Sequence, residues 1–158
     1  MCIRDRDLVD PANKPSAKQV AGRTVLIDEF VSQLITDGKV SSSQFTADSQ
    51  VIRLHGHCHQ KALSSMKATI RMLQLPKNYQ VRSIAAGCCG MAGAFGYETE
   101  HYEVSMQIGE LVLFPAIRKE PADSLIAAGG TSCRHQILDG TGRQALHPVQ
   151  ILMDAFVE

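Results

Sequence analysis

What most constrains this chain is a unit that recurs in outline from residue 51 onward: a short apolar run, a tight loop bearing Cys or His, then a helical pattern. The first unit covers 51–54, passes through HGHCHQ, and enters a stretch with apolar positions Ala62, Met66, Ile70 and Leu73, closed by Pro76. The second covers 81–86 and passes through GCCGMAGAFG. It enters a helical pattern over 101–113 with Val104, Ile108, Leu111 and Val112 on one side, which Pro115 is expected to kink or restart. The third covers 124–128 and leads into GGTSCRHQ. A last apolar piece, Ala145 and Leu146, passes His147 to Pro148, a favourable first-turn residue for a helix carrying Val149, Leu152, Met153 and Phe156. Upstream, the pairs Leu26/Ile27, Phe30/Val31 and Leu34/Ile35 fall four apart, the stripe of an amphipathic helix, with Gly38 as its C-terminal cap. Residues 7–23 read as a polar connection and 41–49 as a polar loop.

Short apolar strands alternating with helices predict an α/β fold, a parallel sheet with helices on both faces. In such sheets the loops leaving the carboxyl ends of the strands open on one side, where ligands bind. Cys58 follows the first expected strand, Cys88 and Cys89 the second, and Cys133 the third. Four thiols are therefore expected to meet at one site.

Composition decides what those thiols are for. At 158 residues and 44% hydrophobic content the chain can bury a core without disulfide support. Its 16 basic and 16 acidic residues balance without a long run of either sign, which argues against nucleic acid or anionic lipid as partner. Neither a membrane-length apolar stretch nor a secretory leader is visible, so a soluble, cytoplasmic setting is expected. There thiols stay reduced and serve metal binding or thiol chemistry. The opening MCIRDR reads as translated sequencing-library adapter. Residues 1–24 are accordingly expected to be an artificial start plus linker, Cys2 is set aside, and the chain is expected to be the C-terminal piece of something longer.

Four thiolates make a soft, anionic site suited to Zn²⁺ or an iron–sulfur cluster, not to Mg²⁺ or Ca²⁺. Zinc sites usually take ligands in close pairs such as C-x-x-C. Here the only pair, Cys88-Cys89, is directly adjacent: it chelates one small ion awkwardly yet can reach separate irons, which favours iron–sulfur with zinc as the alternative. Gly87, Gly90, Gly93 and Gly96 leave the backbone bare for a bulky ligand, and Gly87 and Gly90 flank the thiols as cofactor-binding candidates. The order G-C-C-G-M-A-G is no dinucleotide fingerprint. Lys61 and Arg134 lie close enough in sequence to offset thiolate charge. His55, His57 and His59 alternate and would share one face of an extended segment, in a supporting role ahead of ligation. His135 reads as a hydrogen-bonding or exposed residue, His147 as a helix-entry residue, Met91 and Met106 as packing, and Glu98 and Glu103 as solvated. A third reading, thiol–disulfide catalysis by Cys88-Cys89, requires a low-pKa exposed thiolate. No catalytic residue is assigned.

The segments HGHCHQKAL, AAGCCGMAGAFGYE, GGTSCRHQI and ALHP resemble the cysteine-rich CCG domain over roughly residues 25–158. That domain occurs in iron–sulfur subunits of glycolate oxidase and anaerobic glycerol-3-phosphate dehydrogenase and in heterodisulfide reductase. It is also fused at the C-terminus of FAD-linked oxidases of the D-lactate and D-2-hydroxyglutarate dehydrogenase type, the form these segments match best. The resemblance implies that Cys58, Cys88, Cys89 and Cys133 bind a cluster, of the [4Fe–4S] type given four thiolates. It also implies that FAD and ferredoxin-like domains lie upstream or on a partner subunit, and that a 2-hydroxy acid binds elsewhere. Electrons would pass to a quinone or cytochrome-type acceptor, placing the protein at most peripherally at the inner membrane. The family pattern ends in C-x-x-C, whereas this chain has Gln136 at the last position, so the five-cysteine chemistry of heterodisulfide reductase is not implied.

Overall fold

The computed structural model describes residues 9–157; the MCIRDR stretch with Cys2 lies outside the described residues. Four parallel strands form the sheet: β1 (Gln50–His55), β2 (Tyr79–Ser83), β3 (Leu125–Ala128) and β4 (Ala145–Leu146), in the order β2-β1-β3-β4. The helices are α1 (Lys14–Arg23), α2 (Ile27–Thr36), α3 (Cys58–Leu63), α4 (Lys67–Leu73), α5 (Thr99–Leu111), α6 (Leu113–Arg118), α7 (Thr131–Thr141) and α8 (Pro148–Asp154). None of the described helices is long and apolar enough to cross a membrane.

The strand order explains the two-sided packing. From β1 the chain moves outward one way to β2, then returns past β1 to β3 and on to β4. Parallel crossovers are right-handed, so opposite directions of travel send their helices to opposite faces. Residues alternate accordingly along β3. Ala127 joins Ile52, Leu54, Leu73 of α4 and Ile151 of α8 in one core, while Ile126 and Ala128 join Leu113, Phe114 and Ile117 of α6 and Ile137 of α7 in the other. Phe114 is fully buried where α5 and α7 meet α6, because Gly109 and Gly140 leave room for its ring.

Several expectations are met residue by residue. Gly38 takes φ 69° after α2, with Lys39 N–H donating back to the Leu34 carbonyl. Pro148 opens α8, and His147 caps it by accepting a hydrogen bond from Val149 N–H through Nδ1 at 3.2 Å. Other expectations need correction. The polar connection over 7–23 contains a helix, α1, none of whose residues is buried. The stretch after HGHCHQ is two helices rather than one, because Ser64 is extended (φ −147°, ψ −170°) between α3 and α4. The helix near Pro115 breaks one turn earlier than the proline itself. Pro115 has no N–H for the Leu111 carbonyl, and Val112 turns the chain out of helical geometry (φ −144°, ψ −46°) before α6 begins.

Candidate metal centre

The sheet reverses its direction of chain travel between β1 and β3, and a crevice at the carboxyl ends of the strands forms at such a switch point. Both strands deliver thiols there, but from helix starts instead of loops: Cys58 is the first residue of α3, and Cys133 lies in the first turn of α7, three residues past its N-cap Gly130. Cys88 and Cys89 arrive from the irregular segment after β2. Cys89 above all, and Cys58 and Cys88 with it, push the pKa of the Cys133 thiol upward.

Among these thiols there is an inner and an outer part. Cys89 and Cys133 are almost fully buried, Cys88 is half-buried, and Cys58 is exposed. In the buried pair one proton is shared out unequally. The Cys133 thiol donates to Cys89, which, with a contribution from His55, lowers the Cys89 pKa to about 4, whereas that same bond and burial push Cys133 upward. At Cys58 burial and the neighbouring Cys88 also raise the pKa. Metal-free protein is therefore expected to react with iodoacetamide first at Cys58. Its rate should climb with pH to a midpoint above the ordinary thiol value of 9.0, while Cys89 and Cys133 stay protected by burial until unfolding. Peptide mass spectrometry of a pH series reads this directly, and modification of Cys89 ahead of Cys58 would contradict the geometry.

The loop that carries the adjacent cysteines is set by close backbone approach. Gly90 has φ 103°, its N–H donates to Cys88 Sγ at 3.3 Å, and a Cβ there would lie 2.1 Å from the Ser105 carbonyl oxygen of α5. A Cβ at Gly87 would meet nothing within 4 Å, so its role is through its carbonyl, which accepts from Lys61 Nζ at 2.7 Å. Lys61 also bonds the Ala86 carbonyl, and Arg134 bonds the Ala128 and Gly129 carbonyls at 3.0 Å each. The two cations brace the strand ends around the thiols. Gln136, which stands where the C-x-x-C pattern would place a fifth thiol, is fully buried with its amide nitrogen donating to the Ser105 carbonyl and hydroxyl.

The three alternating histidines do not share a face. His55 ends β1, 1% exposed, and the chain then turns at Gly56, so that His57 caps α3 and His59 lies within it. His55 instead joins Cys89 and Cys133: one donor atom from each lies within 4.8 Å of the others. His57 packs at Gly130, where an added Cβ would sit 2.4 Å from the imidazole and 3.0 Å from Cys133 Sγ. His57 and Gly130 both line a cavity of about 330 Å³, shared among others with Leu26, Leu54, Leu63, Met66 and His147. Beneath it Asp28 of α2, 6% exposed, accepts from Gln60 of α3 and Thr69 of α4. Nothing in the sequence pattern marks this buried carboxylate, since its partners sit on two other helices. His135 bonds Tyr97 at 2.7 Å, and Glu98 pairs with His101 at 2.7 Å instead of being merely solvated.

Fold and site together define a thiol-bearing α/β module compatible with metal binding. In sequence it is similar to parts of larger dehydrogenases. It is 34% identical over 100 residues, 63% of this chain and 10% of the relative, to a D-2-hydroxyglutarate dehydrogenase of Escherichia coli. With the D-2-hydroxyglutarate dehydrogenase of Pantoea ananatis it shares 28% identity over 131 residues, 82% of this chain and 12% of that one. A subunit of the anaerobic glycerol-3-phosphate dehydrogenase of Escherichia coli is 30% identical over 101 residues, 64% of this chain and 25% of that relative. The chain thus spans between a tenth and a quarter of the length of these relatives. No family model and no solved structure matches it.

Proposed function

We propose that this chain is a cysteine-rich CCG domain. In this reading it serves as the iron–sulfur electron-transfer module of an FAD-dependent 2-hydroxy-acid dehydrogenase acting on D-2-hydroxyglutarate, D-lactate or glycolate. What supports the reading is the buried group of Cys89, Cys133 and His55, whose donor atoms lie within 4.8 Å of one another, with Cys58 and Cys88 close enough to raise the Cys133 pKa. The donor set fits the group: soft sulfur donors, two of them buried with no disulfide partner, and glycine-lined backbone within reach. Cys58, Cys88, Cys89 and Cys133 hold the cluster, with Gly90 and Gly87 at its edge. When bound, such a cluster supplies one-electron redox chemistry between a flavin and a quinone or cytochrome-type acceptor. The chain's own residues fix where the thiolates stand, exclude water from the Cys89–Cys133 side, and brace the surrounding carbonyls through Lys61 and Arg134. The flavin and the hydroxy-acid site belong to other domains of the same polypeptide or to a partner subunit.

Anaerobic purification tests this. The expected sample is brown, holds iron and acid-labile sulfide, and bleaches when dithionite is added. A colourless sample with stoichiometric zinc would sink the electron-transfer role and leave a zinc staple or docking module in its place.

A further inference from the structure

We propose that His55 is itself a donor to the metal centre, on the buried side that it shares with Cys89 and Cys133. The inference deepens the reading of a metal centre at this site and rests on it. Three observations carry it. Both ring nitrogens of His55 are buried without a hydrogen-bond partner. A neutral imidazole stripped of water in this way is costly to bury unless something takes its lone pair. One donor atom of His55 stands within 4.8 Å of both the Cys89 and Cys133 sulfurs, close enough for all three to serve one metal centre. Finally, the competing donor is the poorer match. Gln136 shares a face of α7 with Cys133, one helical turn on, but its amide nitrogen is tied to Ser105. Its free Oε1 is a hard oxygen poorly matched to a thiolate-bound iron or zinc, whereas imidazole nitrogen suits both.

Topology explains why His55 and not its neighbours. It is the last residue of β1, and its side chain falls on the sheet face that also carries Ala128, Cys89 and Cys133, whereas Leu54 faces the opposite core. His57 and His59 lie beyond the turn at Gly56, on α3 or its cap. A neutral imidazole brings no negative charge, so an iron centre that it ligates has a higher reduction potential than one with a thiolate in the same place.

The test is pulsed electron paramagnetic resonance on the dithionite-reduced, anaerobically purified chain, with histidine labelled by ¹⁵N in a parallel sample. The expected result is a strong nitrogen coupling of the directly bound kind that changes isotope with the label, disappears in His55→Gln and persists in His57→Gln. His55→Cys is expected to keep the iron and lower the midpoint potential. Only the weak couplings of hydrogen-bonded nitrogens, or a strong coupling unaffected by His55→Gln, would overturn the assignment while leaving the iron–sulfur reading intact. The unmodified protein carries the first readout, so a variant that fails to fold does not leave the question open. If the purified chain is colourless and holds zinc, the electron-transfer reading falls separately. His55 is then read from zinc X-ray absorption: one nitrogen among the sulfurs, lost in His55→Gln, supports it, and an all-sulfur shell overturns it.

Discussion

Gly90→Ala is expected to lower the stability of the metal-free chain by about 2–6 kcal/mol, through two costs that fall on the same atom. The φ of 103° is backbone that an L side chain rarely adopts, which costs on the order of 1–3 kcal/mol. The new Cβ would also be driven to 2.1 Å from the Ser105 carbonyl oxygen and 3.0 Å from Gln136 Nε2. A backbone oxygen within α5 cannot swing aside like a side-chain tip, so relief requires moving the loop or the helix, an overpacking cost of about 1–3 kcal/mol. Against a typical domain stability of about 5–15 kcal/mol the loss is large. It should appear as a clear fall in the urea midpoint. Because Gly90 N–H also donates to Cys88 Sγ, the same shift would loosen the adjacent thiols and reduce metal retention. Gly87→Ala, in the same loop but in open space, is the internal control, expected within about 0.5 kcal/mol of wild type. Equal midpoints for the two variants would show that the α5 contact does not hold the cysteine loop.

The same loop shows how far the sequence can be read. Spaced glycines announce close backbone approach, but which glycine needs it depends on what α5 places opposite, and only Gly90 and Gly96 meet Ser105. The parallel sheet is legible because strands buried on both faces read as short apolar runs, continuous in 125–128 and broken only by Arg53 in 51–54. From them the expectation that Cys133 and Cys89 stand close together follows through the rule that strand ends open on one side, and the two do so with His55. Capping is equally legible at Gly38 and Pro148, where local chemistry alone decides. What escapes has no local signal. Helix α1 buries nothing, so no apolar stripe marks it. Asp28, Gln60 and Thr69 come from three helices and declare themselves only as a buried triad. The alternation of His55 with His57 and His59 suggests one extended face, while the chain in fact leaves the sheet at Gly56 and separates them. The burial of His55 beside Cys89 follows from strand pairing, which no single-chain pattern reveals.

Replacing Cys133 should have the greatest effect on the bound metal. Cys133→Ser is expected to abolish the visible absorption and reduce bound iron to background, whereas Cys58→Ser should leave a coloured but more labile protein. The difference lies in what can replace each thiolate. Cys58 is exposed at the outer rim, so water or the introduced hydroxyl can take the vacant position. Cys133 is 1% exposed, wedged between Cys89, His55 and Gly130, and no solvent reaches its place. Loss of an outer partner that merely orients a ligand weakens metal sites about 10–100-fold, so removing a buried direct donor should exceed that. Serine nearly matches cysteine in shape and leaves a buried hydroxyl, at a cost of about 1–3 kcal/mol. Thermal unfolding of the metal-free forms should therefore differ only modestly, separating lost ligation from lost fold. Iron and sulfide analysis of both variants, purified anaerobically side by side, reads the contrast. Full iron content and an unchanged spectrum in Cys133→Ser would remove the buried thiol from the ligand set, and with it the reason these three strand ends need to meet.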